Sequence, residues 1–235
     1  MIYWLVRVIG GGWLRLFHRL TVVGVDNIPA EGGAIIASNH ASLLDPLVLG
    51  VGSKRRIVFV ARGTLAEHRL FRLFTRTVQV VSISRDESDR TALRAVGRLL
   101  EQGRVCCIFP EGTRSLDGRL QTLKSGFALI AQRTGVPVVP AYVAGTFQVW
   151  PKGRGVPRLV GPVQVHFGDP LHFDRHLSRR ECAGLLAAAL ERLEANVLEL
   201  KNSIPAGDLH QDGRTRRVAS RRRMSVSNVD PASNS

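Results

Sequence analysis

The sequence predicts an α/β fold: a single domain with a mostly parallel (mixed) central sheet flanked by helices. Short apolar runs, several without a polar residue, recur along the chain at the length of buried strands. Stretches with helical spacing lie between many of these runs, and this alternation is typical of a parallel sheet. The length of 235 residues is enough to bury a full core and suits one large domain.

The predicted strands cover residues 34–38, 57–60, 78–83, 105–109, 138–143 and 163–167. A helix is predicted at 88–102, where Leu93, Val96 and Leu99 have helical spacing, and another at 124–134. A glycine follows each of them, as is common just past a helix end. Ser178 and Glu181 have the spacing of a capping box, which predicts the start of a last helix that runs toward Lys201.

The first 20 residues are apolar and aromatic, but Arg7 and Arg15 interrupt them. No charge-free stretch is long enough for a membrane span or a signal peptide. An interfacial helix is one interpretation, with Trp4 and Phe17 in lipid and the arginines reaching lipid phosphates. A first helix packed on the core is the other, and both stay open. Residues 21–202 would form the main domain, and residues 203–235 are predicted to be a disordered basic tail.

The chain is strongly basic, with 33 Lys and Arg against 19 Asp and Glu, and the excess is not confined to the tail. A distributed positive charge favours an anionic partner: a nucleic acid, an anionic membrane surface or a phosphorylated small molecule. No specific nucleic acid is expected, because no binding motif is present and aromatic residues make up only 6% of the chain. The spacing of Cys106, Cys107 and Cys182 predicts neither a disulfide framework nor a metal site.

The first candidate site is NHASLLDP at residues 39–46, which follows a predicted buried strand. Asp45 precedes a proline and is predicted at a helix N-cap, with His40 at the strand exit. A compact turn would let Asp45 accept a hydrogen bond from one ring nitrogen of His40 and raise the basicity of the other. A general base that works near neutral pH needs this arrangement. A simple helix cap beside a loop histidine is the alternative.

The second candidate site is FPEGTRS at residues 109–115, at the end of another predicted strand. Gly112 and Thr113 are expected to expose backbone N–H groups, and the guanidinium of Arg114 suits a phosphate. Glu111 is expected to accept a hydrogen bond from a polyol hydroxyl or to orient Arg114. A tight structural loop with an ion pair is the alternative.

A third polar residue, Arg85, also follows a predicted strand. The carboxyl ends of parallel strands share one edge of a sheet, and ligands bind at that edge. His40, Arg85 and the 109–115 block are therefore expected to meet in one cleft.

Four blocks occur in the order NHASLLDP, VSISR (residues 81–85), FPEGTRS and VPVVPAY (residues 136–142). Together they resemble the sequence blocks of the glycerolipid acyltransferases, the group that contains 1-acylglycerol-3-phosphate acyltransferase. The resemblance implies a glycerol-3-phosphate acyltransferase-like fold and an acyltransferase domain at residues 21–202. It also implies transfer of a fatty acyl chain from a thioester to a hydroxyl, with acyl-CoA or acyl-carrier protein as co-substrate and with no metal or other cofactor.

The same resemblance assigns roles to individual residues. His40 would be the catalytic base and Asp45 its partner. The acceptor would be a lysophospholipid, with 1-acylglycerol 3-phosphate giving phosphatidic acid as the first choice. Glycerol 3-phosphate, another lysophospholipid and a lyso-aminolipid are alternative acceptors. The protein would work at the cytoplasmic face of an anionic membrane. The substrate-binding residues would be Asn39, Arg85, Glu111, Gly112, Thr113, Arg114 and Lys124.

Overall fold

The computed structural model describes residues 2–62, 80–83 and 89–203. Arg85 and all but the first residue of the basic 203–235 segment lie outside the described residues. The first two residues of the predicted strand 78–83 and the first residue of the predicted helix 88–102 also lie outside them.

A seven-stranded sheet organises the described part of the chain, in the order β1-β7-β6-β2-β5-β3-β4. All neighbouring strands are parallel except β6 and β7, which are antiparallel. The predicted mixed, mostly parallel sheet is thus confirmed. β2, the strand that ends just before His40, is its central strand. The strands are β1 Thr21–Val23, β2 Ala34–Ser38, β3 Ile57–Arg62, β4 Val80–Ile83, β5 Val105–Ile108, β6 Val138–Ala144 and β7 Gln164–Phe167.

The helices begin and end close to the predicted residues. The capping box forms as expected: the Ser178 backbone N–H donates to Glu181 Oε2 at 2.7 Å, and the Glu181 N–H donates to Ser178 Oγ at 3.2 Å. The helices are α1 Ile2–His18, α2 Asp45–Gly52, α3 Asp89–Glu101, α4 Gly126–Thr134, α5 Thr146–Val149 and α6 Arg179–Ser203, with a short 3₁₀ turn at Val25–Asn27.

The sheet separates two layers of helices, because successive strand residues point to opposite faces. In β2, Ile36 packs in a cluster with Leu49 of α2, and α1 contributes to the same cluster. Its neighbour Ile35 packs in a second cluster with Leu100 of α3 and Leu186 of α6. Both faces of the central strands are therefore covered, which explains why these strands are continuously apolar in sequence.

α1 packs on the core along one side and exposes apolar side chains along the other. Leu14 is fully buried in the core, whereas Trp4, Val8 and Leu16 are 55%, 69% and 75% exposed. The expectation that Arg7 reaches toward lipid is wrong, because its guanidinium turns inward and donates to the Ser53 carbonyl. Among the described residues, no helix is both long enough and apolar enough to cross a membrane.

The register of the central strands determines which loops can meet. Ala37 of β2 lies beside Ile108 of β5, and Ser38 lies beside Ala141 of β6. These three parallel strands therefore end near one another at the carboxyl edge of the sheet. The loop after β2 lies between the loops that follow β5 and β6.

Candidate active site

The turn after β2 brings His40 and Asp45 into direct contact. Asp45 Oδ2 accepts a hydrogen bond from His40 Nδ1 at 2.8 Å, and it also accepts from the backbone N–H groups of Ala41 at 2.8 Å and Ser42 at 2.7 Å. The predicted N-cap position of Asp45 is wrong by one residue, because α2 begins at Asp45 and Leu44 is the cap. The carboxylate bonds the turn that precedes it instead of the helix that follows.

The second oxygen of Asp45 is held by a residue that the sequence analysis missed. The Thr146 hydroxyl donates to Asp45 Oδ1 at 2.6 Å, and both side chains are fully buried. Thr146 follows Gly145, which has a φ of 85° and closes the turn after β6. A signal was available, since a glycine followed by a hydroxyl residue at a strand end can place a polar group at the ligand edge of the sheet.

These contacts fix the tautomer of His40. Both Asp45 oxygens act as acceptors, so in the neutral imidazole Nδ1 carries the shared proton and Nε2 has the lone pair. Among the described residues, none forms a hydrogen bond with Nε2. The His40 side chain is 16% exposed, while that of Asp45 is not exposed at all. The imidazole can therefore meet a substrate on one side while a buried carboxylate holds the other.

The loop after β5 fixes the backbone and the ring of His40. Glu111 Oε1 accepts a hydrogen bond from the His40 backbone N–H at 2.8 Å, and the Ser115 N–H donates to the His40 carbonyl at 2.7 Å. Phe109 stacks on the imidazole with ring centroids 3.9 Å apart and an angle of 18° between the planes. Residues from both sequence blocks thus form one continuous site.

Glu111 is a buried carboxyl with one unused oxygen. The residue is 4% exposed, and Oε2 has no hydrogen-bond partner among the described residues. Burial raises the pKa of Glu111 to about 7, although backbone N–H groups of His40 and Gln121 favour the ionised form. One oxygen therefore serves His40, which the sequence analysis did not foresee, and the other is available to a ligand.

Two cationic side chains flank this loop. Burial lowers the pKa of Arg114, and the nearby charge of Asp45 offsets part of that effect; an arginine stays charged despite such a shift. Among the described residues, none accepts a hydrogen bond from its guanidinium. Lys124 Nζ lies over Gly112, since a Cβ there would be 2.7 Å from it, and Gly112 has a φ of 73°. The prediction that Gly112 exposes its backbone N–H is wrong, because this group donates to the Phe109 carbonyl at 3.0 Å. Thr113, the next residue, is exposed.

Asn39 makes its observed contacts with the sheet. Its Nδ2 donates to the Val143 carbonyl at 3.0 Å, and the Val143 N–H donates to its Oδ1 at 2.7 Å. The side chain is 3% exposed. Asn39 thus joins the end of β2 to β6, and its predicted contact with substrate stays a prediction.

The structure brings most of the predicted site residues together. Arg114 precedes Ser115, whose backbone bonds His40, and its charge interacts with that of Asp45. The imidazole of His40, the buried Glu111 carboxyl and the Arg114 guanidinium therefore share one edge of the sheet. A proton acceptor beside an anion-binding group is suited to deprotonating a hydroxyl on a phosphorylated molecule.

Comparisons with known proteins agree with this geometry. The acyltransferase family model matches residues 19–144. The chain is 29% identical over 197 residues to the 1-acyl-sn-glycerol-3-phosphate acyltransferase of Bacillus subtilis, covering 81% of this chain and 92% of that protein. It is 29% identical over 189 residues to the lyso-ornithine lipid O-acyltransferase of Rhizobium meliloti, covering 68% of this chain and 64% of that protein.

A solved structure extends the similarity to three dimensions. The crystal structure of the 1-acyl-sn-glycerophosphate acyltransferase from Thermotoga maritima matches with a TM-score of 0.70 and 30% identity, over 85% of this chain and 79% of that one. The family model covers more than half of this chain, including both sequence blocks of the site. This chain therefore belongs to the acyltransferase family, and its relatives include 1-acyl-sn-glycerol-3-phosphate acyltransferases.

Proposed function

We propose that this protein transfers a fatty acyl chain from an acyl thioester to the free hydroxyl of 1-acylglycerol 3-phosphate, which gives phosphatidic acid. The observation that carries the proposal is the His40–Asp45 pair beside Arg114, whose guanidinium has no hydrogen-bond partner among the described residues. Relatives named for this activity in Bacillus subtilis and Thermotoga maritima support the choice of acceptor.

In this proposal His40 Nε2 takes the proton from the acceptor hydroxyl as its oxygen attacks the thioester carbonyl. The C–O bond forms, the C–S bond then breaks, and the proton moves from His40 to the departing thiolate. Asp45 keeps the Nδ1 proton in place and stabilises the imidazolium between the two proton transfers. The four hydrogen bonds that its carboxylate accepts hold it rigidly enough for this role.

The phosphate of the acceptor would bind Arg114, with the ammonium group of Lys124 as a further donor. A partly buried guanidinium without a protein partner favours an anion with two acceptor oxygens. Glu111 Oε2, which has no partner in the described part of the chain, lies in the same loop and would contact the glycerol portion.

A lyso-ornithine lipid is a second candidate acceptor, because the Rhizobium meliloti relative is named for that acceptor and is also 29% identical, although over a smaller share of this chain than the Bacillus subtilis protein. This acceptor carries no phosphate. It would therefore leave Arg114 without the anion that its position favours, which is why the phosphorylated acceptor is preferred.

Membrane association at the cytoplasmic face is part of the proposal. The acceptor carries an acyl chain that resides in a bilayer, and α1 exposes Trp4, Val8 and Leu16 next to the basic Arg15. Such a helix can lie in the interface of an anionic membrane.

A mass-spectrometric assay of the purified protein tests the proposal. The acceptors are 1-acylglycerol 3-phosphate, glycerol 3-phosphate, a neutral lysophospholipid and a lyso-ornithine lipid, each with acyl-CoA and with acyl-carrier protein as donor. Phosphatidic acid is the expected main product. If only the lyso-ornithine lipid is acylated, that lipid replaces 1-acylglycerol 3-phosphate as the proposed acceptor. If no donor and acceptor pair gives a product, the proposed activity is overturned.

A further inference from the structure

The segment of residues 150–161, called the 150–161 loop, connects α5 to β7 and exposes aliphatic side chains. Val156, Leu159 and Val160 are 72%, 75% and 67% exposed. Three highly exposed aliphatic side chains within five residues favour an interaction surface over a loop that only faces water.

Hydrogen bonds fix the backbone of this loop while those side chains stay in solvent. The indole N–H of Trp150 donates to the Arg154 carbonyl at 2.7 Å, and the Arg158 N–H donates to the Val149 carbonyl at 2.9 Å. Val149 is buried in the core cluster that includes α1 and α2. The loop is thus anchored to the core layer formed by α1 and α2.

The charge of the loop identifies the chemistry of its partner. Lys152, Arg154 and Arg158 are all exposed, and no Asp or Glu occurs between Gly145 and Gly168. Aliphatic side chains interleaved with cations match an anionic lipid surface, where the apolar groups enter the interface and the cations meet lipid phosphates.

Both ends of the loop lie next to elements already described. The Ser42 hydroxyl, two residues after His40, donates to the Trp150 carbonyl at 2.8 Å. At the other end, His18 Nδ1 donates to the Gly161 carbonyl at 3.1 Å, at the end of α1. The loop therefore continues from the catalytic turn to the helix with the other exposed apolar side chains.

We propose that the 150–161 loop is a contact surface for an anionic lipid bilayer, separate from α1, that holds the catalytic turn against the membrane. The proposal rests on the proposed lipid acceptor, because an acceptor whose acyl chain stays in the bilayer must be met at the bilayer surface. Aliphatic side chains of the loop enter the interface, and its cations bind anionic headgroups.

The first test locates the loop directly. Leu159→Cys in the full-length chain is labelled with an environment-sensitive fluorophore, since the native cysteines are buried. The probe vesicles contain equal parts of phosphatidylcholine and phosphatidylglycerol. A blue shift of the fluorescence emission is expected with these vesicles. No shift is expected for the same label at Leu198→Cys, because this exposed leucine lies on α6 in the opposite helix layer. No shift at Leu159 would overturn the proposal.

The second test links the contact to turnover. Leu159→Asp with Val160→Asp should raise the apparent KM for vesicle-embedded acceptor by at least about tenfold, because the aspartates lose apolar burial and are repelled by anionic lipid. kcat/KM for a short-chain, water-soluble 1-acylglycerol 3-phosphate should be unchanged. Leu185→Asp with Leu198→Asp is the matched control, with no change on either acceptor.

Other outcomes distinguish the alternatives. Equal loss on soluble and vesicle acceptors would place the loop in the catalytic site itself and overturn membrane contact. Loss confined to acyl-carrier protein as donor would make the loop a carrier-protein surface, which also overturns it. If the wild-type protein acylates no lipid, the proposed function fails, while the fluorescence shift still reports on the loop.

Discussion

Glu111→Gln tests the electrostatics of the site through stability. Burial raises the pKa of Glu111 from 4.5 to about 7, so the folded protein keeps a proton that the unfolded chain releases. Between these pH values the folded state binds more protons than the unfolded state, and stability therefore falls as pH rises. With about 1.4 kcal/mol for each pH unit, the ionised carboxylate costs roughly 3 kcal/mol above pH 7.

A glutamine keeps the oxygen that accepts the His40 N–H, but it cannot ionise. The free energy of unfolding of Glu111→Gln relative to wild type should therefore rise by roughly 2–3 kcal/mol from pH 5 to pH 8. Urea unfolding followed by circular dichroism at several pH values measures this difference. The contributions of other titrating groups to the pH dependence cancel, because they are the same in both proteins.

Glu181→Gln is the matched control for this experiment. Hydrogen bonds from Ser178 lower the pKa of Glu181. Its contribution to the free energy of unfolding is therefore lost only as the pH falls below the range of pH 5 to pH 8. Its difference from wild type should stay constant between pH 5 and pH 8. A constant difference for Glu111→Gln as well would refute the raised pKa and the burial that causes it.

Two further substitutions test the remaining contacts of the site. Thr146→Val removes the hydroxyl that donates to Asp45 and should lower the free energy of unfolding by about 2 kcal/mol, whereas Thr146→Ser should retain most of the wild-type stability. Urea unfolding measures both variants. Equal stability of Thr146→Val and wild type would contradict the buried hydrogen bond. Arg114→Ala should raise KM for 1-acylglycerol 3-phosphate by at least about tenfold, because it removes charge-assisted hydrogen bonds to the phosphate. Steady-state kinetics at subsaturating acceptor detect this change, and an unaltered kcat/KM would remove Arg114 from phosphate binding.

The sequence predicted the strands well where they are buried on both faces. The observed β2 spans the predicted residues 34–38, and β5 and β6 differ from prediction by one residue. β1, Thr21–Val23, was missed because three residues of alternating exposure give too short a pattern. The sequence also did not predict the antiparallel pairing of β7 with β6, because this pairing depends on a loop connection between the two strands instead of a crossover helix.

The site was predictable to the extent that its residues are neighbours in sequence. His40 and Asp45 are five residues apart, and their contact follows from one compact turn. Thr146 lies 101 residues from Asp45, and their contact depends on β6 lying beside β2, an order that the sequence does not encode locally. The hydrogen bond from the His40 backbone to Glu111 was missed for the same reason, because it requires β5 beside β2.

The most direct test of the account is the turnover of folded His40→Ala. The imidazole with its free Nε2 is proposed to take the acceptor proton, so acyl transfer from acyl-CoA to 1-acylglycerol 3-phosphate should fall by at least about 10²-fold. His172→Ala is the matched control, since this exposed histidine follows Leu171, which pairs with the first residue of β6 at the opposite edge of the sheet. Near-normal turnover by folded His40→Ala would contradict the mechanism.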